Sequence, residues 1–162
     1  GIYPIYPMVT LFGRPKGIKA DVVSCDVPAV FGMKPVDLQG TALFEYDGMT
    51  ATATYSKIAD SKPRTEISCD RGILSLDQIH ITRQVELTMR GAPTSGRSSG
   101  PATKDITVPC DPDEYLCEFK EFIDVIESGR PESANNSLAN SLAVAGIMDE
   151  IRSQAGIIFP AD

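Results

Sequence analysis

Through the middle of this chain apolar and polar residues alternate, and toward both ends the apolar ones recur every three to four positions. Alternation predicts strands and the longer spacing predicts helices. In residues 18–25, Ile18, Ala20, Val22 and Ser24 share one face of a strand, and Lys19, Asp21, Val23 and Cys25 share the other. Residues 37–46 and 49–58 flank Asp47-Gly48. An Asp-Gly pair between two strand-like runs predicts a hairpin, because both central positions of a type I′ turn need positive φ. On the second arm Thr50, Thr52, Thr54 and Ser56 interleave with Ala51, Ala53, Tyr55 and Lys57, so one face is small and hydroxylated. Residues 65–69 and 73–76 predict two more strands around a tight turn at Asp70-Arg71-Gly72. Residues 79–89 read as another strand, broken near Arg83-Gln84, and residues 105–108 as a last short one. Gly, Pro, Ser and Thr crowd residues 91–104, which predicts a loop.

The ends are helical. The opening apolar run, Ile2–Phe12, meets Gly13 with Pro15 just beyond, a helix-stop signature, and Pro7 makes that helix irregular. Cys110-Asp111-Pro112-Asp113-Glu114 offers an N-cap at Asp111, a proline at the first helical position and acids in the first turn. Tyr115, Phe119, Phe122 and Ile126 then recur at helical spacing until Gly129 and Pro131. A last helix starts near Asn136-Ser137 and ends at Gly156, with Leu138, Leu142, Ala145, Met148 and Ile151 as its expected buried face. The fold class is α+β: an open, mostly antiparallel sheet of about six strands, with helices packed on one face. Residues 1–162 are expected to form a single domain, and the uncovered sheet face is a surface on which a partner could pair.

Composition narrows the function classes. With 162 residues, 42% apolar and 23% charged, the chain can bury a core and is not disordered throughout. Its net charge of −7 and scattered basic residues disfavour nucleic acid or an anionic membrane as partner. No apolar run is long enough to span a bilayer, and the first residues carry no basic lead of a signal peptide. The abrupt start at Gly1 is expected of a chain cut from something longer. Cys25, Cys69, Cys110 and Cys117 form no CxxC pair and there is one histidine, His80, so zinc-ligand spacing is absent. Buried free thiols in a reducing, cytoplasmic compartment are the expected state.

Residues alone give few candidates for chemistry. No glycine-rich phosphate loop follows a strand, and Gly96-Arg97-Ser98-Ser99-Gly100 has the wrong spacing. No nucleophile elbow is present. His80, between Ile79 and Ile81 in a predicted strand, reads as structural. Asp111, Asp113 and Glu114 answer the positive end of a helix dipole. Lys62-Pro63-Arg64 reads as a solvated turn that could reach an anion. The opening helix stands apart: Tyr3, Tyr6 and Thr10 fall at helical spacing and put two phenols and a hydroxyl on one face. Packing at a surface accounts for that pattern as readily as chemistry does.

Gly1-Ile2-Tyr3-Pro4-Ile5, then Leu11-Phe12-Gly13-Arg14-Pro15, resembles the helix that follows the nucleotide-binding domain in the glucose–fructose oxidoreductase/inositol dehydrogenase (Gfo/Idh/MocA) family. The family pattern there is Asp-x-Gly-x-(His or Tyr), followed by Phe-Gly-x-Pro. Thr65-Glu66-Ile67-Ser68-Cys69-Asp70-Arg71-Gly72-Ile73-Leu74 is similar to the family's strand-turn-strand, with Gly72 at the matching glycine. Glu118-Phe119 to Ser128-Gly129-Arg130-Pro131, with the helix that follows, is similar to its terminal pair of helices.

The resemblance implies the C-terminal domain of a two-domain oxidoreductase. A Rossmann domain, whose dinucleotide fingerprint is not in this sequence, would hold NAD or NADP. The present residues would cover the nicotinamide and bind a sugar, cyclitol or related diol. Tyr3 matches the catalytic His/Tyr and would be the general acid/base, with Tyr6 and Thr10 beside it in substrate binding. A free phenol ionises at about pH 10, so the role calls for a cation; the family supplies a lysine from a Glu-Lys-Pro motif that is not in this sequence. Many members with His at the position of Tyr3 carry Asp at the position of Tyr6. The chain by itself is expected to neither bind NAD nor turn over substrate, and to form homo-oligomers through the open sheet face. A non-enzymatic ligand-binding or oligomerisation module of the same fold is the alternative.

Overall fold

The structure, a computed structural model, describes residues 1–25, 36–60, 64–91, 102–109, 113 and 115–158. Its elements in chain order are α1 (Ile2–Phe12), β1 (Gly17–Cys25), β2 (Val36–Tyr46), β3 (Met49–Ser56), β4 (Thr65–Ser68), β5 (Gly72–Leu76), β6 (Val85–Met89), β7 (Ala102–Asp105), α2 (Leu116–Glu127) and α3 (Leu138–Gln154). The class is α+β and every strand pairing is antiparallel. The seven strands form two sheets, in the orders β1-β2-β3 and β4-β5-β6-β7, where the sequence suggested one sheet of about six. The chain divides accordingly into two compact units, Gly1–Ser61 with Glu132–Asp162, and Lys62–Pro131.

In the first unit the Asp47-Gly48 turn sets the register. Gly48 has φ 72, and Tyr46 opposes Met49, so Ala42 meets Ala53 and Gly40 meets Tyr55 further along. β1 pairs with β2 across Ile18↔Phe44 and Ala20↔Ala42, with a bulge between Val23 and Ser24. The alternation predicted for β3 is observed, and that for β1 holds as far as Val23, beyond which Ser24 is exposed and Cys25 half-buried; the Thr50, Thr52, Thr54 face of β3 is exposed. The opposite sheet face meets α1 and α3 in a small core of Ile5, Met8, Val9, Ile18, Ala42, Phe44, Val144 and Ile147. α1 contains Pro7 and stops at Gly13, whose φ is 75. Its end is tied to the sheet by the Tyr46 hydroxyl, which donates to the Gly13 carbonyl at 3.0 Å, and by the edge-on Phe12–Tyr46 ring pair.

α3 begins where expected, with the Ser137 hydroxyl accepting from the Asn140 N–H. Its buried stripe is shifted from the expected one, of which Ile151 does pack against the core. Val144 and Ile147 are buried, while Leu138 and Leu142 are 70% and 75% exposed. Two apolar stripes run along this helix, and the spacing of apolar residues does not say which faces the sheet. Register is fixed by contacts at the helix end. The Gln154 amide receives the Ala20 N–H on its oxygen and donates to the Ile18 carbonyl, both at 2.9 Å. It thus satisfies two backbone groups on the outer edge of β1, where an unpaired strand edge would otherwise stand open.

The second unit holds β4 to β7 and α2. β4 and β5 turn through Asp70-Arg71 as read from the sequence, closed by the Cys69 N–H donating to the Gly72 carbonyl. A Cβ on Gly72 would lie 2.5 Å from the Thr88 carbonyl oxygen, so β6 can approach only a glycine. Gly72→Ala is expected to destabilise this unit by about 1–3 kcal/mol, the usual cost of overpacking against backbone. Faster amide hydrogen exchange in β5 and β6 checks this, with little change in β1 to β3.

Three strand and helix limits in this unit differ from expectation. Residues 79–84 are not strand: the Asp77 carboxylate accepts from the backbone N–H groups of Arg83 and Gln84 and folds the segment into a loop. His80 is exposed in that loop, not set in a strand. The last strand is Ala102–Asp105, three residues earlier than read, and it ends because the Asp105 carboxylate accepts from the Thr107 N–H. α2 starts at Leu116 after a turn in which Asp113 accepts from the Tyr115 N–H. The expected N-cap Asp111, with Pro112 and Glu114, lies outside the described residues, as do Lys62, Pro63, Cys110 and Gly96-Arg97-Ser98-Ser99-Gly100. Gly129, φ 65, follows the helix end as read. No residue of α2 is buried, although Phe119, Phe122 and Ile126 align on one stripe. Cys25, Cys69 and Cys117 are free, but Cys69 and Cys117 are exposed, not buried as expected.

Candidate functional site

α1 carries Tyr3, Tyr6 and Thr10 as its spacing requires, but the structure gives the three different surroundings. Tyr3, in the first turn, is 64% exposed. The Tyr6 hydroxyl donates to the Asn136 side-chain oxygen at 2.9 Å and approaches the Asn135 carbonyl at 3.1 Å, tying α1 to the segment before α3. The Thr10 hydroxyl donates back to the Tyr6 carbonyl at 3.0 Å. The Tyr6 and Thr10 hydroxyls are thus tied to neighbouring segments of the chain, and the Tyr3 side chain is largely exposed.

Beside the same first turn lies a cavity of about 220 Å³, wholly within the first unit. Gly1, Pro4 and Ile5 form one wall, Ala42 and Ala53 the sheet floor, and Met148, Ile151 and Ile157 the wall from the end of α3. None of Tyr3, Tyr6 and Thr10 lines it. Its ionisable side chains are Asp37 and Tyr55 from the hairpin, and Asp149 and Arg152 from α3, and Thr41 also lines it.

The hairpin side is an ordered hydrogen-bond group. Gly40 lies opposite Tyr55, and the Tyr55 ring occupies the space beside its bare backbone: a Cβ on Gly40 would be 2.8 Å from the ring. The phenol reaches along β2 to the Asp37 carboxylate, which also accepts from the Lys57 ammonium at 2.8 Å. Burial raises the Tyr55 phenol far above its ordinary range, and the Asp37 hydrogen bond and charge add to it, so Tyr55 keeps its proton and donates at any neutral pH. Burial pushes the Asp37 carboxyl up, but hydrogen bonds from Lys57 and Tyr55 outweigh this and hold it below its ordinary value. On the facing wall Arg152 pairs with Asp149 at 3.1 Å.

The sign for stability follows from that shift. A carboxyl with a lowered pKa in the folded state favours folding when ionised. The contribution is complete above the ordinary carboxylate value of about 4 and fades as pH falls through the lowered one. Asp37→Asn is therefore expected to flatten the loss of thermal stability on acidification, relative to wild type, in melts run from neutral pH downward.

The described residues do not fit a dinucleotide on their own. Among the described residues every strand pairing is antiparallel, so no parallel strand-turn-helix unit of the Rossmann type presents N–H groups to a pyrophosphate. Among the described residues no cluster of His, Cys, Asp and Glu could hold a metal ion, and no helix is long and apolar enough to cross a membrane.

No family model matches the chain. Its full length is 36% identical to scyllo-inositol 2-dehydrogenase (NADP(+)) IolU of Bacillus subtilis and 29% identical to the uncharacterized oxidoreductase YgjR of Escherichia coli. In each case the chain spans 44% of the relative's length. UDP-N-acetylglucosamine 3-dehydrogenase GnnA from Acidithiobacillus ferrooxidans shares the fold, with a TM-score of 0.68 at 20% identity, over 95% of this chain and 46% of that one. The oxidoreductase yvaA of Bacillus subtilis, described as putative, does so with a TM-score of 0.64 at 16% identity, over 96% of this chain and 50% of that one. The α1, strand-turn-strand and terminal-helix motifs thus stand in a chain whose relatives are oxidoreductases, aligned along all 162 residues. By sequence and fold the chain is similar to about half the length of these oxidoreductases, as its resemblance to the C-terminal domain of the glucose–fructose oxidoreductase/inositol dehydrogenase (Gfo/Idh/MocA) family implies.

Proposed function

We propose that this chain is the substrate-binding C-terminal domain of a two-domain NAD(P)-dependent oxidoreductase acting on a carbinol of a cyclitol, sugar or related diol. The observation that carries the reading is the 36% identity, along every residue of the chain, to a dehydrogenase whose name specifies scyllo-inositol and NADP. The bound dinucleotide supplies the hydride acceptor. The residues of this chain hold the polyol beside α1 and take its hydroxyl proton at the Tyr3 phenol oxygen. Three features support Tyr3 in that role: it matches the family's acid/base position, it lies in the first turn of α1, and its side chain is largely exposed. The local bonds of Tyr6 and Thr10 fit a supporting role, in which they fix the α1 backbone that carries Tyr3.

The same reading makes the exposed threonine face of β3 the surface on which two copies associate, and a reducing cytoplasm the compartment, in keeping with the free thiols of Cys25, Cys69 and Cys117. The test is kinetic. In the protein that joins this chain to its nucleotide-binding domain, NADP⁺ or NAD⁺ reduction is expected with at least one inositol, monosaccharide or vicinal diol. The 162-residue chain alone is expected to show none. Turnover by the isolated chain, or its absence from the joined protein with every polyol tried, would overturn the reading.

A further inference from the structure

The outer face of α1 meets the segment before α3 at one side chain, Asn136. Its amide oxygen accepts from the Tyr6 hydroxyl at 2.9 Å and from the Ser141 hydroxyl at 3.3 Å. The backbone that carries it is held as well. The Ser133 hydroxyl accepts from the N–H groups of Asn135 and Asn136 at 3.0 and 3.1 Å, and the Glu132 carboxylate accepts from the Leu138 N–H. With its oxygen turned in on two hydroxyls, the amide is held in one orientation, and its nitrogen, a donor of two hydrogens, is turned away from them. Asn136 is exposed. Tyr3 and Tyr6 stand three positions apart on α1, so their side chains are neighbours on one helix face, with about 5–6 Å between Cβ atoms. Asn136 is bonded to the second of them. None of the three lines the cavity on the other side of α1.

A polyol that gives one hydroxyl proton to Tyr3 carries further hydroxyls on neighbouring carbons, and each of their oxygens can accept a hydrogen bond. We propose that Asn136 is a specificity-determining residue of the polyol site, its amide N–H groups donating to a second hydroxyl of the substrate whose first hydroxyl Tyr3 deprotonates. The hydroxyls of Tyr6 and Ser141, either of which holds the amide oxygen, aim that donor. The place of the second hydroxyl along α1 is then what tells one polyol from another. The inference rests on the polyol dehydrogenase reading and deepens it. Asn136 touches none of the reacting atoms, so the chemical step stays with Tyr3 and the dinucleotide.

The test is made in the protein that joins this chain to its nucleotide-binding domain, with the preferred polyol and its singly deoxygenated analogues. Asn136→Leu keeps the size of the side chain and removes the donors. It is expected to raise KM for the intact polyol about fivefold to tenfold, the factor that corresponds to one hydrogen bond, with kcat changed much less. For the analogue that lacks the bonded hydroxyl, KM should be the same in variant and wild type. A merely structural Asn136 would move KM for every analogue alike; that result, or KM unchanged throughout, overturns the assignment and leaves the dehydrogenase reading intact. Should Asn136→Leu fail to fold, Asn136→Asp keeps an oxygen for Tyr6 and Ser141 and turns an acceptor outward in place of the donors. Its KM should differ from wild type for polyols that bear the hydroxyl and match wild type for the analogue that does not, and a uniform change or none overturns the assignment. If the joined protein oxidises no polyol, saturation-transfer NMR on it with myo- and scyllo-inositol decides the matter separately. Transfer that the Asn136 variant weakens upholds the assignment, and no transfer, or transfer equal in the variant, overturns it.

Discussion

Replacing Phe44 by alanine is expected to destabilise the first unit by about 3–5 kcal/mol, the range for deleting a fully buried aromatic ring. Phe44 is 0% exposed, and it stands on β2 opposite Ile18, at the centre of the face that α1 and α3 cover. Among the described residues the core comprises Phe44 and seven other buried residues, so few neighbours are available to collapse into the space. A domain of ordinary stability has ~5–15 kcal/mol in all, and this single change would remove a large share of it. Urea unfolding followed by circular dichroism measures the effect. Phe44→Leu, which retains most of the volume, should lose much less, and equal losses for the two would show that the site relaxes freely.

Tyr3→Phe is expected to have the largest effect on activity. Phenylalanine keeps the ring and removes only the proton-carrying oxygen, so packing of the first turn of α1 is preserved. Loss of a general acid/base lowers the rate by typically ~10²–10⁴-fold. In the joined, active protein kcat should fall by that factor with KM for the polyol little altered, and the limb of the pH–rate profile that reports the base should disappear. Tyr6→Phe, by contrast, removes the bonds to Asn135 and Asn136 and should act mainly through stability. An active enzyme in which Tyr3→Phe is without effect would return Tyr3 to the role of a surface residue.

The contrast between these two residues reflects what the sequence could show. Local signals were reliable where chemistry at one or two residues settles the backbone. Asp47-Gly48 set the hairpin, Gly13 stopped α1 and Ser137 capped α3. Expectations failed where a side chain far along the chain makes the choice. The stripe of α3 that faces the sheet is held by Gln154 on the edge of β1, a pairing across more than a hundred positions with no local signature. Residues 79–84 became a loop through Asp77, whose carboxylate competes with strand pairing.

The site was legible in part. Tyr3 came from a family motif, and pattern alone could not raise it above a packing tyrosine. Asp37 and Tyr55 were missed, although a signal existed. Once Asp47-Gly48 is taken as the turn, Gly40 must oppose Tyr55, and a glycine across from an aromatic marks a place where a ring occupies the space beside bare backbone. Arg152 and Asp149 could not have been found this way, because only the packing of α3 brings them to the hairpin.

Hydride transfer itself is the central claim, and isotope transfer reads it most directly. The joined protein would be incubated with oxidised dinucleotide and scyllo-inositol deuterated at its ring carbons, and the reduced nicotinamide examined by NMR. The account predicts deuterium on the reduced nicotinamide ring. Reduced dinucleotide without the label, or no reduction with this or any other polyol, would contradict it.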